Sequence, residues 1–159
     1  PGVPRVTTAN VRPAPAFTAP GTDGDLSLKD LKGRIVVMYF YPRDNTPGCT
    51  TEGQNFRDRY AEFQAAGAEI LGVSRDTLAS HQKFKEKQGF PFPLLADPDE
   101  TLCELYGVMK MKNMYGKQVR GIERSTFLID AQGKLRQEWR GVKVPGHVDA
   151  VLDAVRGLA

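Results

Sequence analysis

Apolar residues run unbroken from Ile35 to Tyr41 (Ile35-Val36-Val37-Met38-Tyr39-Phe40-Tyr41), rich in β-branched and aromatic side chains. A run of this kind predicts a strand buried on both faces. Pro42 stops it, and Asp44-Asn45-Thr46-Pro47-Gly48 is dense in turn residues. Beyond Cys49 the apolar positions take helical spacing, with Phe56, Tyr60 and Phe63 at i, i+4 and i+7. A helix is therefore expected over 49–66, closed by Gly67 as its C-cap.

The pattern continues as alternating elements. Residues 68–74 read as a second core strand, and 77–88 as a polar helix ended by Gly89. Residues 90–95 are extended, as their prolines require. Asp97-Pro98-Asp99-Glu100 has the form of a capping box with proline at the first helical position, predicting a short helix through Tyr106. Residues 109–121 show no clear period and are expected to be loop. Residues 125–129 and 134–139 predict a hairpin across the turn 130–133. Residues 147–158 form an amphipathic last helix, with Val148, Val151, Leu152 and Val155 on one face. Near the start, Leu26, Leu28 and Leu31 flank Ser27, a candidate cap. Residues 1–15, with four prolines and no period, are expected to be an extended N-terminal arm, leaving 16–159 as one domain. Strands alternating with helices imply an α/β fold, a mixed central sheet flanked by helices on both faces.

Composition changes this picture little. At 159 residues, 40% hydrophobic and 26% charged, the chain can bury one core. No apolar run approaches the roughly 18 residues of a membrane span. The N-terminus has no hydrophobic region of signal-peptide type, so a cytoplasmic address is expected. The net charge of +3 is dispersed. It thickens at Lys110, Lys112, Lys117, Arg120 and Arg124 without interleaved aromatics, which reads as a solvated face and not a nucleic-acid patch. Two cysteines make no disulfide framework. His81 and His147 stand apart without metal-ligand spacing and no phosphate-cradling loop occurs, so neither metal nor cofactor is expected.

The candidate chemistry lies where the buried strand hands over to the helix. Cys49 falls in that helix's first turn, where unpaired N–H groups favour an anion. A thiolate is such an anion, and it is the nucleophilic form of cysteine. Taken alone, a cysteine so placed is more often a half-buried structural thiol.

The neighbouring residues carry more. Pro42, Thr46 and Cys49 form P-x-x-x-T-x-x-C, which resembles the active-site signature of the peroxiredoxins. The longer string FYPRDNTPGCTTE resembles the peroxiredoxin Q, or bacterioferritin comigratory protein, subfamily. The resemblance extends from about residue 16 and covers most of the chain. It implies a thioredoxin-like fold, although the C-x-x-C of thioredoxin itself is missing. It also implies a thiol-dependent peroxidase that reduces hydrogen peroxide and organic hydroperoxides. Cys49 would be the nucleophile, Thr46 would donate and accept through its hydroxyl, and Pro42 would shield the sulfur. The string GIERSTFLID matches the segment that supplies the family's arginine, here Arg124. Glu52 matches a position that orients this arginine, and Gly48 belongs to the same supporting turn.

Lowering a cysteine pKa from about 8.5 to about 6 raises its thiolate fraction at pH 7 about 30-fold. The accompanying loss of nucleophilicity returns about a factor of 10. Thr46 and Arg124 are therefore expected to act mainly by aligning peroxide and stabilising the departing oxygen.

Attack leaves a sulfenic acid that a thiol must restore. The subfamily's usual resolving position, five residues after the nucleophile, is Gln54, and the second, within 77–88, also holds no cysteine. Cys103 matches neither, and stands as a buried thiol or a candidate resolving residue. The expected reductant is therefore external: thioredoxin, glutaredoxin or a low-molecular-weight thiol. The protein would be a monomer or weak dimer, with no nucleic-acid or membrane partner. The alternative is a peroxide sensor or chaperone-like protein that uses Cys49 oxidation as a signal.

Overall fold

The apolar run lies at the centre of a six-stranded sheet. The structure is a computed structural model that describes residues 11–159. In chain order its strands are β1 (Arg12–Pro13), β2 (Thr18–Ala19), β3 (Leu26–Ser27), β4 (Ile35–Phe40), β5 (Ala68–Ser74), β6 (Leu94–Ala96), β7 (Met109–Met114), β8 (Lys117–Ile122), β9 (Ser125–Ile129) and β10 (Lys134–Arg140). The helices are α1 (Pro47–Asp58), α2 (Tyr60–Ala65), α3 (Leu78–Gln88), α4 (Thr101–Leu105) and α5 (His147–Leu158). The main sheet has the order β1-β10-β9-β4-β5-β6, with β4, β5 and β6 parallel and the pairings β4–β9, β9–β10 and β10–β1 antiparallel. The mixed, two-faced α/β architecture expected from the sequence is the one present.

Alternation along β4 sorts the core into two layers. Val36, Met38 and Phe40 face a cluster that includes Phe127, Leu102, Cys103 and Tyr106. Val37, Tyr39 and Tyr41 face the other cluster, which includes Cys49, Phe56, Phe63, Phe84 and the apolar stripe of α5. Burial of β4 on both faces is why its sequence shows no alternation. On the second layer Tyr39 stacks on Phe56 with ring centroids 4.5 Å apart.

Several boundaries differ from expectation. The helix expected over 49–66 begins at Pro47 and breaks at Arg59 into α1 and α2. Proline suits the first helical position because it needs no N–H partner there. The helix after Asp97 begins three residues later than its capping box suggests. Glu100, with φ 64°, precedes α4, while Asp97 reaches forward to accept the N–H of Leu102 at 3.0 Å and of Cys103 at 2.7 Å. The segment expected to be loop is the hairpin β7–β8, turning at Tyr115 and Gly116, both left-handed. It stands outside the main sheet and exposes both faces, so hydrophobic alternation never marked it. The arm expected over 1–15 lies mostly outside the described residues. Its described end adds β1 to the sheet edge beside β10.

Gly53 shows how closely α1 is seated. A Cβ there would lie 2.3 Å from Cζ of Phe90, a buried ring stacked on Phe92. Gly53→Ala should therefore cost about 1–3 kcal/mol of stability through overpacking. Chemical denaturation of the two proteins would measure it, and an unchanged midpoint would contradict this packing.

Candidate active site

Residues far apart in sequence meet at the C-terminal end of β4. The antiparallel register pairs Phe40 with Ser125. Arg124, one residue before β9, therefore arrives level with Tyr41, just ahead of the turn that leads into α1. Its backbone is held there by Val142, whose N–H donates to the Arg124 carbonyl at 3.0 Å. Thr46 is the N-cap of α1 and Pro47 its first residue. The first intrahelical bond runs from Thr50 N–H to the Thr46 carbonyl, 2.9 Å. The N–H groups of Gly48 and Cys49 thus lie ahead of the helical ladder, the place where a helix favours negative charge.

Cys49 is buried. Arg124 Nη2 donates to its Sγ at 3.4 Å, and Nη1 donates to Glu52 Oε1 at 2.6 Å. One guanidinium therefore joins the sulfur to a carboxylate one turn further along α1. Gly48 permits this approach, since a Cβ there would sit 3.2 Å from Arg124 Nη2. The Thr46 hydroxyl donates to the Arg43 carbonyl at 2.8 Å. Its proton is thereby engaged, which leaves the oxygen to accept. Pro42 ends β4 half-buried and, with Arg43, Arg75, Asp76 and Pro98, lines an adjacent depression of about 360 Å³.

The site's electrostatics follow from burial. Glu52 is fully buried and its Oε2 has no hydrogen-bond partner. Burial pushes its carboxyl up to about 7 against the pull of Arg124. Burial opposes the charge on Arg124, but Glu52 and Cys49 more than restore it and hold its pKa above the ordinary arginine value. The Tyr39 phenol is held well above its usual range by burial, then by the charges of Glu52 and Cys49, so it remains protonated.

His147 stands apart in the sequence, with no local partner to mark it. It is the first residue of α5, its Nε2 lies 2.8 Å from Thr126 Oγ1, and its ring meets Trp139 edge-on with centroids 5.7 Å apart. Burial and the Arg124 charge pull it down to about 4, so it is neutral near pH 7. His81, which looked isolated in sequence, lies beside Asp44 and Asp76, with potential ligand atoms within 4.8 Å of one another. Hydrogen-bond donors already engage Asp44 and Asp76.

Cys103 is not brought to the site. It belongs to the layer on the opposite face of the sheet from Cys49, and both cysteines are free. Burial, reinforced by a hydrogen bond to Asp97 and its charge, holds the Cys103 thiol far above the usual range, which removes it as a nucleophile.

Glu52 makes a pH dependence measurable. The unfolded carboxyl releases its proton near 4.5, whereas the folded one keeps it to about 7. Between those values folding binds a proton, so this group's contribution to stability falls as pH rises and levels off above 7. Glu52→Gln removes that fall. Its stability relative to the parent should rise by up to about 3 kcal/mol between about pH 5 and pH 8. Denaturant titrations across that range would check it, and a pH-independent difference would contradict it.

Comparison with known proteins identifies the family. Residues 11–138 match the AhpC/TSA family. The chain is 58% identical over 133 residues to peroxiredoxin Bcp of Xanthomonas campestris pv. campestris, covering 84% of this chain and 83% of that one. It is 48% identical over 147 residues to peroxiredoxin Bcp of Bacillus subtilis, covering 92% and 94%. A solved structure of Xanthomonas campestris peroxiredoxin Q superposes with a TM-score of 0.85 at 54% identity, covering 89% of this chain and 90% of that one. A structure of the bacterioferritin comigratory protein from the same organism, with identical figures, is described in connection with its alkyl peroxide reduction activity and a trapped intermediate. The fold and most of the sequence are thus shared: this chain belongs to the AhpC/TSA family, in its peroxiredoxin Q/Bcp branch.

Proposed function

We propose that the protein is a thiol-dependent peroxidase for hydrogen peroxide and organic hydroperoxides, with Cys49 as nucleophile, Thr46, Arg124 and Pro42 as the other catalytic residues, and Glu52 and Gly48 supporting them. The observation that carries this reading is the single Arg124 guanidinium bonded to both Cys49 Sγ and Glu52 Oε1. The Cys49 thiolate attacks one peroxide oxygen, a sulfur–oxygen bond forms, and the O–O bond breaks. The other oxygen leaves as water or alcohol after taking up a proton. Thr46 accepts a hydrogen bond from the incoming peroxide. Arg124 and the free N–H groups at the start of α1 stabilise the charge that develops on the departing oxygen. Gly48 keeps the guanidinium close, and Pro42 limits water at the sulfur.

Cys49 is left as a sulfenic acid. An external thiol then attacks that sulfur, displacing water and forming a mixed disulfide. A second thiol releases Cys49 reduced. Thioredoxin, glutaredoxin or a small thiol fits this scheme, and two free cysteines suit a reducing, cytoplasmic setting. The separation of the cysteines by the sheet supports external resolution. The reading takes residues 16–159 as the catalytic domain, 1–15 as an arm, and the protein as a monomer or weak dimer. Among the described residues, no helix is long and apolar enough to cross a membrane.

Cys49→Ser should abolish peroxide consumption with the fold intact, and more than a few per cent of residual activity would overturn the assignment. Arg124→Ala should slow peroxide attack about 10²–10³-fold even at a pH where the thiol is fully ionised. Stopped-flow rates at high pH equal to those of the parent would remove Arg124 from the transition state. Cys103→Ser should retain most turnover with an external thiol, and peroxide-treated protein should carry its modification on Cys49 alone. A stoichiometric Cys49–Cys103 disulfide by mass spectrometry would refute external resolution.

A further inference from the structure

The turn that presents Thr46 and Cys49 is anchored by a buried network outside the chemistry just described. Asp44, in that turn, is buried. Its Oδ1 accepts from the Tyr41 hydroxyl at 2.6 Å. Its Oδ2 accepts from the Ser80 hydroxyl at 2.7 Å and lies 2.8 Å from His81 Nδ1. Its backbone N–H donates to Asp76 Oδ2 at 2.9 Å, an oxygen that also accepts from the Ser74 hydroxyl at 2.5 Å. The next residue, Asn45, has a left-handed φ of 64°. Such backbone persists where its surroundings over-determine it.

The other nitrogen of His81, Nε2, lies 2.9 Å from the Leu95 carbonyl oxygen, and the side chain is wholly buried. A carbonyl can only accept, so Nε2 carries a proton. Nδ1 faces a carboxylate oxygen. If the ring were neutral and Asp44 ionised, two lone pairs would oppose each other at 2.8 Å with both side chains inaccessible to water. A proton must therefore lie between them, on the ring or on Asp44. Besides the ring, two hydroxyls, those of Tyr41 and Ser80, donate to the two oxygens of Asp44, and a carboxylate that accepts at both oxygens places the proton on the ring. The titratable groups facing the ring are Asp44, Asp76 and Tyr41, two carboxyls and a neutral phenol.

We propose that His81 is a positioning residue for peroxide reduction: with both ring nitrogens protonated, it clamps the Leu95 carbonyl of β6 to Asp44 and so fixes the turn that sets Thr46 and the first turn of α1. The clamp ties the turn to the sheet through a residue from α3 that does not touch the substrate. Its role in catalysis rests on the peroxidase reading, whereas its protonation state does not.

The two can be tested separately. In reduced, ¹⁵N-labelled protein near pH 7, long-range ¹H–¹⁵N correlations of the two histidines, assigned with His81→Gln, should show both ring nitrogens of His81 protonated. His147 should show one. An unprotonated nitrogen on His81 would overturn the clamp, whatever the enzyme's activity. For the catalytic role, stopped-flow oxidation of Cys49 should slow about 10- to 100-fold in His81→Gln and in Asp44→Asn. The double variant should be no slower than the slower single one, because one clamp is lost in each. Unchanged rates, or losses that multiply, would overturn the positioning role. Rates that fall with a chelator and return with added zinc would show a metal site in place of the proton.

Discussion

A guanidinium largely withdrawn from water and shared between a buried carboxylate and a sulfur is the interaction on which the site depends. Arg124 cannot be left there alone, since an unpaired buried charge carries a large desolvation penalty. Glu52 balances it from within the helix that carries Cys49, so the groups form one unit. Much of the fold serves that meeting. Antiparallel pairing of β4 and β9 brings Arg124 to the end of the buried strand, and Val142 holds its backbone there. Gly48 leaves room for the side chain, while Phe56, stacked on Tyr39, seats α1 against the sheet.

The sheet also separates the chain's thiols. Successive residues of β4 point to opposite layers, one containing Cys49 and the other Cys103. The barrier is a continuous set of hydrogen-bonded strands with apolar side chains on both faces. Burial, with Asp97 adding to it, keeps Cys103 protonated, and Asp97 also holds the first turn of α4.

Much of this was legible in the sequence, for physical reasons. A strand buried on both faces has to read as an unbroken apolar run, and Ile35 to Phe40 does. Apolar residues every third or fourth position mark α5 with equal clarity. Cys49 and its turn were visible because proline, glycine and threonine punctuate the strand-to-helix handover. Other features left no local trace. The hairpin β7–β8 buries little, so no hydrophobic period marks it. Nothing in the spacing of Phe56, Tyr60 and Phe63 announces the break at Arg59. Arg124 was recognisable only through its matching string, because the pairing that brings it to Cys49 spans 75 residues. His81 looked solitary for the same reason: Asp44 lies 37 residues away, and only the fold makes them neighbours.

The edge-on contact between Trp139 and His147 gives the molecule an optical property. Trp139 is the chain's single tryptophan. Its ring touches an imidazole that is neutral near pH 7 and bonded to Thr126, two residues beyond Arg124. Without an imidazolium against the indole, its emission escapes a common source of quenching at neutral pH. That emission remains exposed to changes of charge a few residues away. The protein thus carries a native fluorophore beside β9, the strand whose preceding residue is the arginine bonded to the sulfur.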